Sequence, residues 1–85
     1  MSVKTVKVDN SVRKRIKKLP LHINRKIIEG IEELRNNPLK GVKLRGELSE
    51  FHKLRIGDYR IIYSFRKKSS QLIIVKVEHR QGVYK

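Results

Sequence analysis

The sequence predicts an α+β domain in which an antiparallel sheet carries a two-helix hairpin on one face, in the order β-α-α-β-β-β. Three observations lead there. Apolar residues recur at helical spacing between Val12 and Leu34, the period changes to two after Phe51, and a short alternating stretch precedes the helices. With 85 residues the chain has room for one modest core, so 1–85 is expected to be a single domain.

Val3, Val6 and Val8, with Lys7 between the last two, suit a first strand over about residues 3–8. Asp9, Asn10 and Ser11 then offer side chains that cap helix N-termini. Val12, Ile16 and Leu19 share one face of a first helix, which Pro20 ends. Ile23, Ile27, Ile31 and Leu34 define a second helix from about Leu21 to Asn36, where Asn-Asn-Pro stops it. Gly30 inside that helix costs about 1 kcal/mol relative to Ala unless close packing demands it. Residues 39–50 hold two glycines and no clear period, so they read as a loop with at most a short extended piece. Phe51 to Ile56, Tyr59 to Phe65 and Leu72 to His79 follow as strands, separated by Gly57-Asp58 and by Lys67-Lys68-Ser69-Ser70. Arg80 to Lys85 form a short tail.

A two-residue turn at Gly57-Asp58 fixes a register, because Gly tolerates positive φ. Ile56 then opposes Tyr59, Arg55 opposes Arg60, Leu54 opposes Ile61 and Lys53 opposes Ile62. Opposed residues share a face. Leu54, Ile56, Tyr59, Ile61 and Tyr63 therefore turn toward the helices, and Lys53, Arg55, Arg60 and Ile62 toward the other side. In the last strand Ile73, Val75 and Val77 are expected in the core, which leaves Ile74, Lys76, Glu78 and Arg80 on the basic face. Arg55 opposite Arg60 is a like-charge pair that needs an anion or carboxylate between its members, and Glu78 is available for that.

Lys and Arg number 22 against 8 Asp and Glu, giving a formal charge of +14. Such a field favours polyanions, nucleic acid first and an anionic membrane second. The absence of cysteine excludes disulfides, thiolate nucleophiles and Cys-ligated metals. No ligand spacing suggests a metal, and no cofactor is expected. The first residues lack an apolar signal region and no run reaches membrane length, so a cytoplasmic location is expected. RKRIKK, Arg13 to Lys18, is basic and amphipathic, but its short helix needs its apolar positions for the core, leaving the basic side to a polyanion or solvent. His52 and His79 are attractive acid–base candidates. The register puts both on the helix side, which favours structural roles.

KLRGELSEFHKLRIGDYRIIYSF, followed by VEHRQGVY, resembles the RelE toxin family within the wider RelE/ParE superfamily, over nearly the whole chain. The most specific parts are KLRG at Lys43 to Gly46, GDYR at Gly57 to Arg60, and the His79 to Tyr84 segment HRQGVY. The resemblance implies the β-α-α-β-β-β fold and a toxin of a type II toxin-antitoxin system that cuts messenger RNA in the ribosomal decoding site. It implies catalytic roles for Lys53, Arg60, Arg80 and Tyr84, and RNA contacts for Arg45 and Arg55. Cleavage by the RNA's own 2′-hydroxyl needs no metal. The implied partners are the ribosome, its message and a RelB-like antitoxin, in a possible toxin-antitoxin heterotetramer. Some family members carry a lysine two positions before the one matched by Lys53; here that position is Phe51. Two other readings remain open, a gyrase poison of the ParE branch and a non-catalytic RNA-binding domain.

Overall fold

The computed structural model describes residues 3–48 and 50–79. Strand β1 (Thr5–Val8) leads into a helical hairpin of α1 (Asn10–Lys18) and α2 (Leu21–Asn36), after which β2 (Val42–Lys43), β3 (Phe51–Ile56), β4 (Tyr59–Arg66) and β5 (Gln71–His79) complete the fold. The strands form one sheet in the order β1-β5-β4-β3-β2. The expected α+β order holds, and β2 is the short extended piece within the predicted loop.

The sheet is mixed rather than wholly antiparallel. Strands β2 to β5 pair antiparallel, whereas β1 lies parallel to β5, with Val6 opposite Leu72 and Val8 opposite Ile74. The cause is where the chain is tied. The Val3 amide donates to the Arg35 carbonyl at 2.8 Å, and the Lys4 amide donates to the Ser70 carbonyl at 2.9 Å. β1 thus starts at the end of the sheet where β5 also starts, and the two must run the same way.

In α1, Val12 and Ile16 are buried. Asp9 occupies the N-cap without a side-chain cap bond; its carbonyl accepts the first helical bond from Arg13 at 2.9 Å. The Asn24 side-chain amide donates to the Ile16 carbonyl at 2.9 Å, satisfying an acceptor near the end of α1 and fastening α2 to it. In α2, Ile27, Gly30 and Leu34 are buried. A Cβ on Gly30 would stand 2.7 Å from Ile56 Cδ1 and 3.3 Å from Ile61 Cδ1, so the close approach of α2 to β3 and β4 is what the glycine permits.

The β3–β4 register is the expected one throughout, and Gly57 alone of the turn pair has a positive φ, 57°. Leu54, Ile61 and Tyr63 are buried, with Ile56 and Tyr59 packed against them. β5 departs from expectation. Its buried residues are Leu72, Ile74 and Val77, not Ile73, Val75 and Val77. Tyr63 pairs with Ile74 but Ile62 pairs with Lys76, so Val75 is the extra residue of a β-bulge. No strict period of two buries Leu72, Ile74 and Val77 together. The bulge does so, and still leaves Lys76 and Glu78 on the far side.

Candidate nucleic-acid interface

Pairing across the sheet fixes what its open face presents. One row runs Val42, Lys53, Ile62, Lys76; the next runs Arg55, Arg60, Glu78. With strands about 4.8 Å apart and successive same-face residues about 7 Å apart, the backbone positions of the cations in both rows lie within roughly 12 Å of one another. A third row, Phe51, Ser64, Ile73, Lys7, is mostly uncharged.

Glu78 organises the cationic patch. Its Oε1 accepts from Arg60 Nε at 2.6 Å and its Oε2 lies 3.2 Å from Lys76 Nζ. Burial pushes the Glu78 carboxyl up, but hydrogen bonds and attraction from Lys76 and Arg60 outweigh it and hold the group below the usual carboxylate range. Glu78 thus neutralises Arg60 from the β5 side and does not lie between Arg55 and Arg60 as expected. The Arg60 bond uses Nε, and the terminal guanidinium nitrogens make no hydrogen bond among the described residues. Those are the donors that grip two phosphoryl oxygens at once. Lys53, half-buried, and Arg55, exposed, form no ion pair among the described residues.

Arg45 follows β2, and its placement depends on a tether that the sequence did not suggest. The fully buried Tyr63 hydroxyl accepts from the Gly41 amide at 2.9 Å and donates to the Pro38 carbonyl at 3.0 Å. The residues leading into β2 are thereby pinned to the helix side of β4. A Cβ on Gly41 would collide with the Tyr63 hydroxyl and stand 2.6 Å from the Lys53 carbonyl oxygen. Burial pushes the Tyr63 phenol up, with the Gly41 amide opposing the change.

Both strand histidines lie outside the two cationic rows, each against a tyrosine ring. His52 stacks on Tyr63 at 5.4 Å between ring centroids, and its buried Nδ1 has no hydrogen-bond partner among the described residues. Burial, then the charge of Lys43, lowers its pKa. His79 meets the Tyr59 ring edge-on at 4.8 Å. Arg80 and Tyr84, two of the four predicted catalytic residues, lie outside the described residues. Sequence reasoning placed Lys76 on this face but gave it no role; its alternation with Glu78 was the available signal. Among the described residues, no group of three or more His, Cys, Asp or Glu could hold a metal ion. No helix there is long and apolar enough to cross a membrane.

A protein-family model described as the ParE toxin of type II toxin-antitoxin systems, parDE, matches residues 6–84. The chain belongs to this toxin family. Among curated relatives, the toxin is 31% identical over 83 residues to toxin RelG of Mycobacterium tuberculosis, covering 95% of each chain. Among solved structures, it is similar to a chain of the toxin-antitoxin complex RelBE2 from Mycobacterium tuberculosis, with TM-score 0.82, 32% identity and 94% of each chain covered. It is also similar to a chain of the archaeal RelE-RelB complex from Pyrococcus horikoshii, with TM-score 0.80, 30% identity, and 94% and 97% of the two chains covered. The toxin is thus a type II toxin of the RelE/ParE superfamily, with the mixed sheet and helical hairpin of its RelE neighbours.

Proposed function

We propose that this toxin is a ribosome-dependent endoribonuclease that cuts messenger RNA in the decoding site, with the open sheet face as its substrate surface. The observation that carries this reading is the convergence of Lys53, Arg55, Arg60 and Lys76 on one face, with Arg60 held by Glu78 through Nε alone. Similarity to RelE-type toxins supports it.

In the reaction, the 2′-oxygen of the substrate attacks the adjacent phosphorus and the bond to the 5′-oxygen breaks, leaving a 2′,3′-cyclic phosphate and a 5′-hydroxyl. The attacking oxygen gives up a proton, the leaving oxygen gains one, and the phosphorane between them carries extra negative charge. Arg60, with Arg80, clamps the scissile phosphate and stabilises that charge. Lys53 contributes a compact positive charge beside it and is the candidate to receive the proton. Tyr84 orients the 2′-hydroxyl or stacks on a base. Arg45 and Arg55 bind flanking RNA, and Phe51 offers a ring on the same face. The 2′-hydroxyl route requires no metal, so cleavage is expected to persist in a chelator that leaves the ribosome intact. The partners are the ribosome with its message and a RelB-like antitoxin, and the setting is cytoplasmic.

Primer extension on a defined message in translating ribosomes tests this. Wild type is expected to cut at decoding-site codons and Arg60→Ala to lose at least about a hundredfold in rate, the scale of one lost charge-stabilising group. Equal cleavage by both overturns the assignment. The description of the family model favours one other reading, a gyrase poison; intact message together with arrested growth points there.

A further inference from the structure

We propose that the cleft between α1 and the outer edge of β5 is a second RNA-phosphate subsite, with Arg15 as its anchoring cation. This deepens the endonuclease reading and rests on it for the identity of the substrate. β1 pairs with β5 only as far as Ile74, after which the chain turns into α1. Beyond that point the edge of β5 has no strand partner among the described residues, and a cleft of about 470 Å³ lies there. Ser11 and Arg15 line it from α1; Lys76, Glu78 and His79 line it from β5.

Two observations point to RNA as the occupant. First, the cleft and the cationic sheet face share residues. Lys76 ends the row that begins at Lys53 and Ile62, and Lys76 and Glu78 are tied to Arg60 through one carboxylate. A polyanionic strand lying on Arg60 and Lys76 therefore reaches Arg15 by passing over the β5 edge, where Val12, Val75 and Val77 complete the lining of the cleft. Second, the far wall carries unneutralised charge. α1 has five Lys or Arg in nine residues and no acid, and none of the five enters an ion pair among the described residues. Glu78, the one carboxylate in the lining, is already occupied by Arg60 and Lys76. Arginine at such a position suits phosphate, which its planar fork holds bidentately.

The test uses a fluorescein-labelled single-stranded RNA with a 2′-deoxy residue at the cleavage position, so that binding is read whether or not the protein cuts. Affinity is measured across a salt series for wild type, Arg15→Ala and Lys14→Ala. Lys14 is the matched control, since it lies one position away and lines only the adjoining groove, which Arg15 also borders, and not this cleft. Arg15→Ala is expected to weaken binding about tenfold at low salt, as one charged hydrogen-bonding group is lost. It is also expected to make the slope of log affinity against log salt shallower by about 0.7, the share of one phosphate contact. Lys14→Ala is expected to change affinity less than twofold and leave the slope alone. Equal slopes for wild type and Arg15→Ala overturn the subsite, as does weakening that affects an acidic antitoxin peptide but not RNA. Loss of cleavage in Arg60→Ala is measured separately, so the endonuclease reading can fail while the subsite stands, and the reverse.

Discussion

The two faces of one sheet obey different rules. On the helix side, Leu54, Ile61, Tyr63, Leu72, Ile74 and Val77 are buried, and α2 lies so close that position 30 has no room for a Cβ. On the open side, the same strands align Lys53, Arg55, Arg60 and Lys76, an arrangement that repels itself and is held by a single carboxylate. The first face stabilises the fold. The second is tolerated because the first does so.

Neighbouring residues on β4 break the comparison most sharply. Ile61→Ala is expected to cost about 2–5 kcal/mol, since it removes a side chain with no solvent exposure, whereas Ile62→Ala, on the opposite face, is expected to cost about 1 kcal/mol or less. Urea denaturation of both variants measures the difference; equal costs would mean the open face is packed too. Next in size is Tyr63→Phe, which keeps the ring and removes the hydroxyl. The Pro38 carbonyl and Gly41 amide are left unpaired, for about 1–3 kcal/mol, and hydrogen exchange at the Gly41 amide is expected to accelerate. Arg55→Ala is expected to act with the opposite sign. It relieves a like-charge cross-strand pair worth about 0.2–1 kcal/mol, a gain that Glu78 keeps toward the small end, and it weakens RNA binding. A loss of stability in Arg55→Ala would remove the distinction between the faces.

The smallest effect is a dependence of stability on pH, and each face supplies one part. His52 resists protonation in the fold, while the unfolded chain takes up the proton near 6.5, so stability falls as pH drops below that value. The Glu78 contribution is complete above the ordinary carboxylate pKa of about 4.3 and is lost as pH falls through its lower folded value. Thermal melts from pH 7.5 to pH 3 are expected to lose the upper step in His52→Phe and the lower one in Glu78→Gln.

The faces also differ in how well the sequence announces them. Burial imposes a period, so both helices, the β3–β4 hairpin and its register follow from residue spacing and from one turn with positive φ at Gly57. A bulge breaks that period. Ile73 and Val75 are as apolar as Leu72 and Ile74, so nothing in the residue types announces the change of phase. The parallel β1 was illegible for another reason. Alternation marks a strand but not its neighbour, and the bonds of Val3 and Lys4 that choose β5 involve backbone atoms common to every residue. The Tyr63 tether is likewise an encounter of a side chain with backbone 22 and 25 positions away. Of the cationic site, Lys53, Arg55 and Arg60 were legible because the hairpin set their parity, and Glu78 because it alternates with Val77; Arg45 rested on resemblance alone.

Val75 has a consequence for how this chain tolerates changes in length. Because Ile74 and Lys76 already oppose the consecutive residues Tyr63 and Ile62, removing Val75 would leave every cross-strand pair of β4 and β5 intact and every side chain on its present face. Deleting Lys76 instead would seat Val75 in its place opposite Ile62, and deleting Val77 would turn Lys76 toward the core opposite Ile61. Residue 75 is thus a register-neutral position within β5. What its loss would remove is the extra twist that a bulge gives a strand, at the point where β5 parts from β1 and the outer cleft opens.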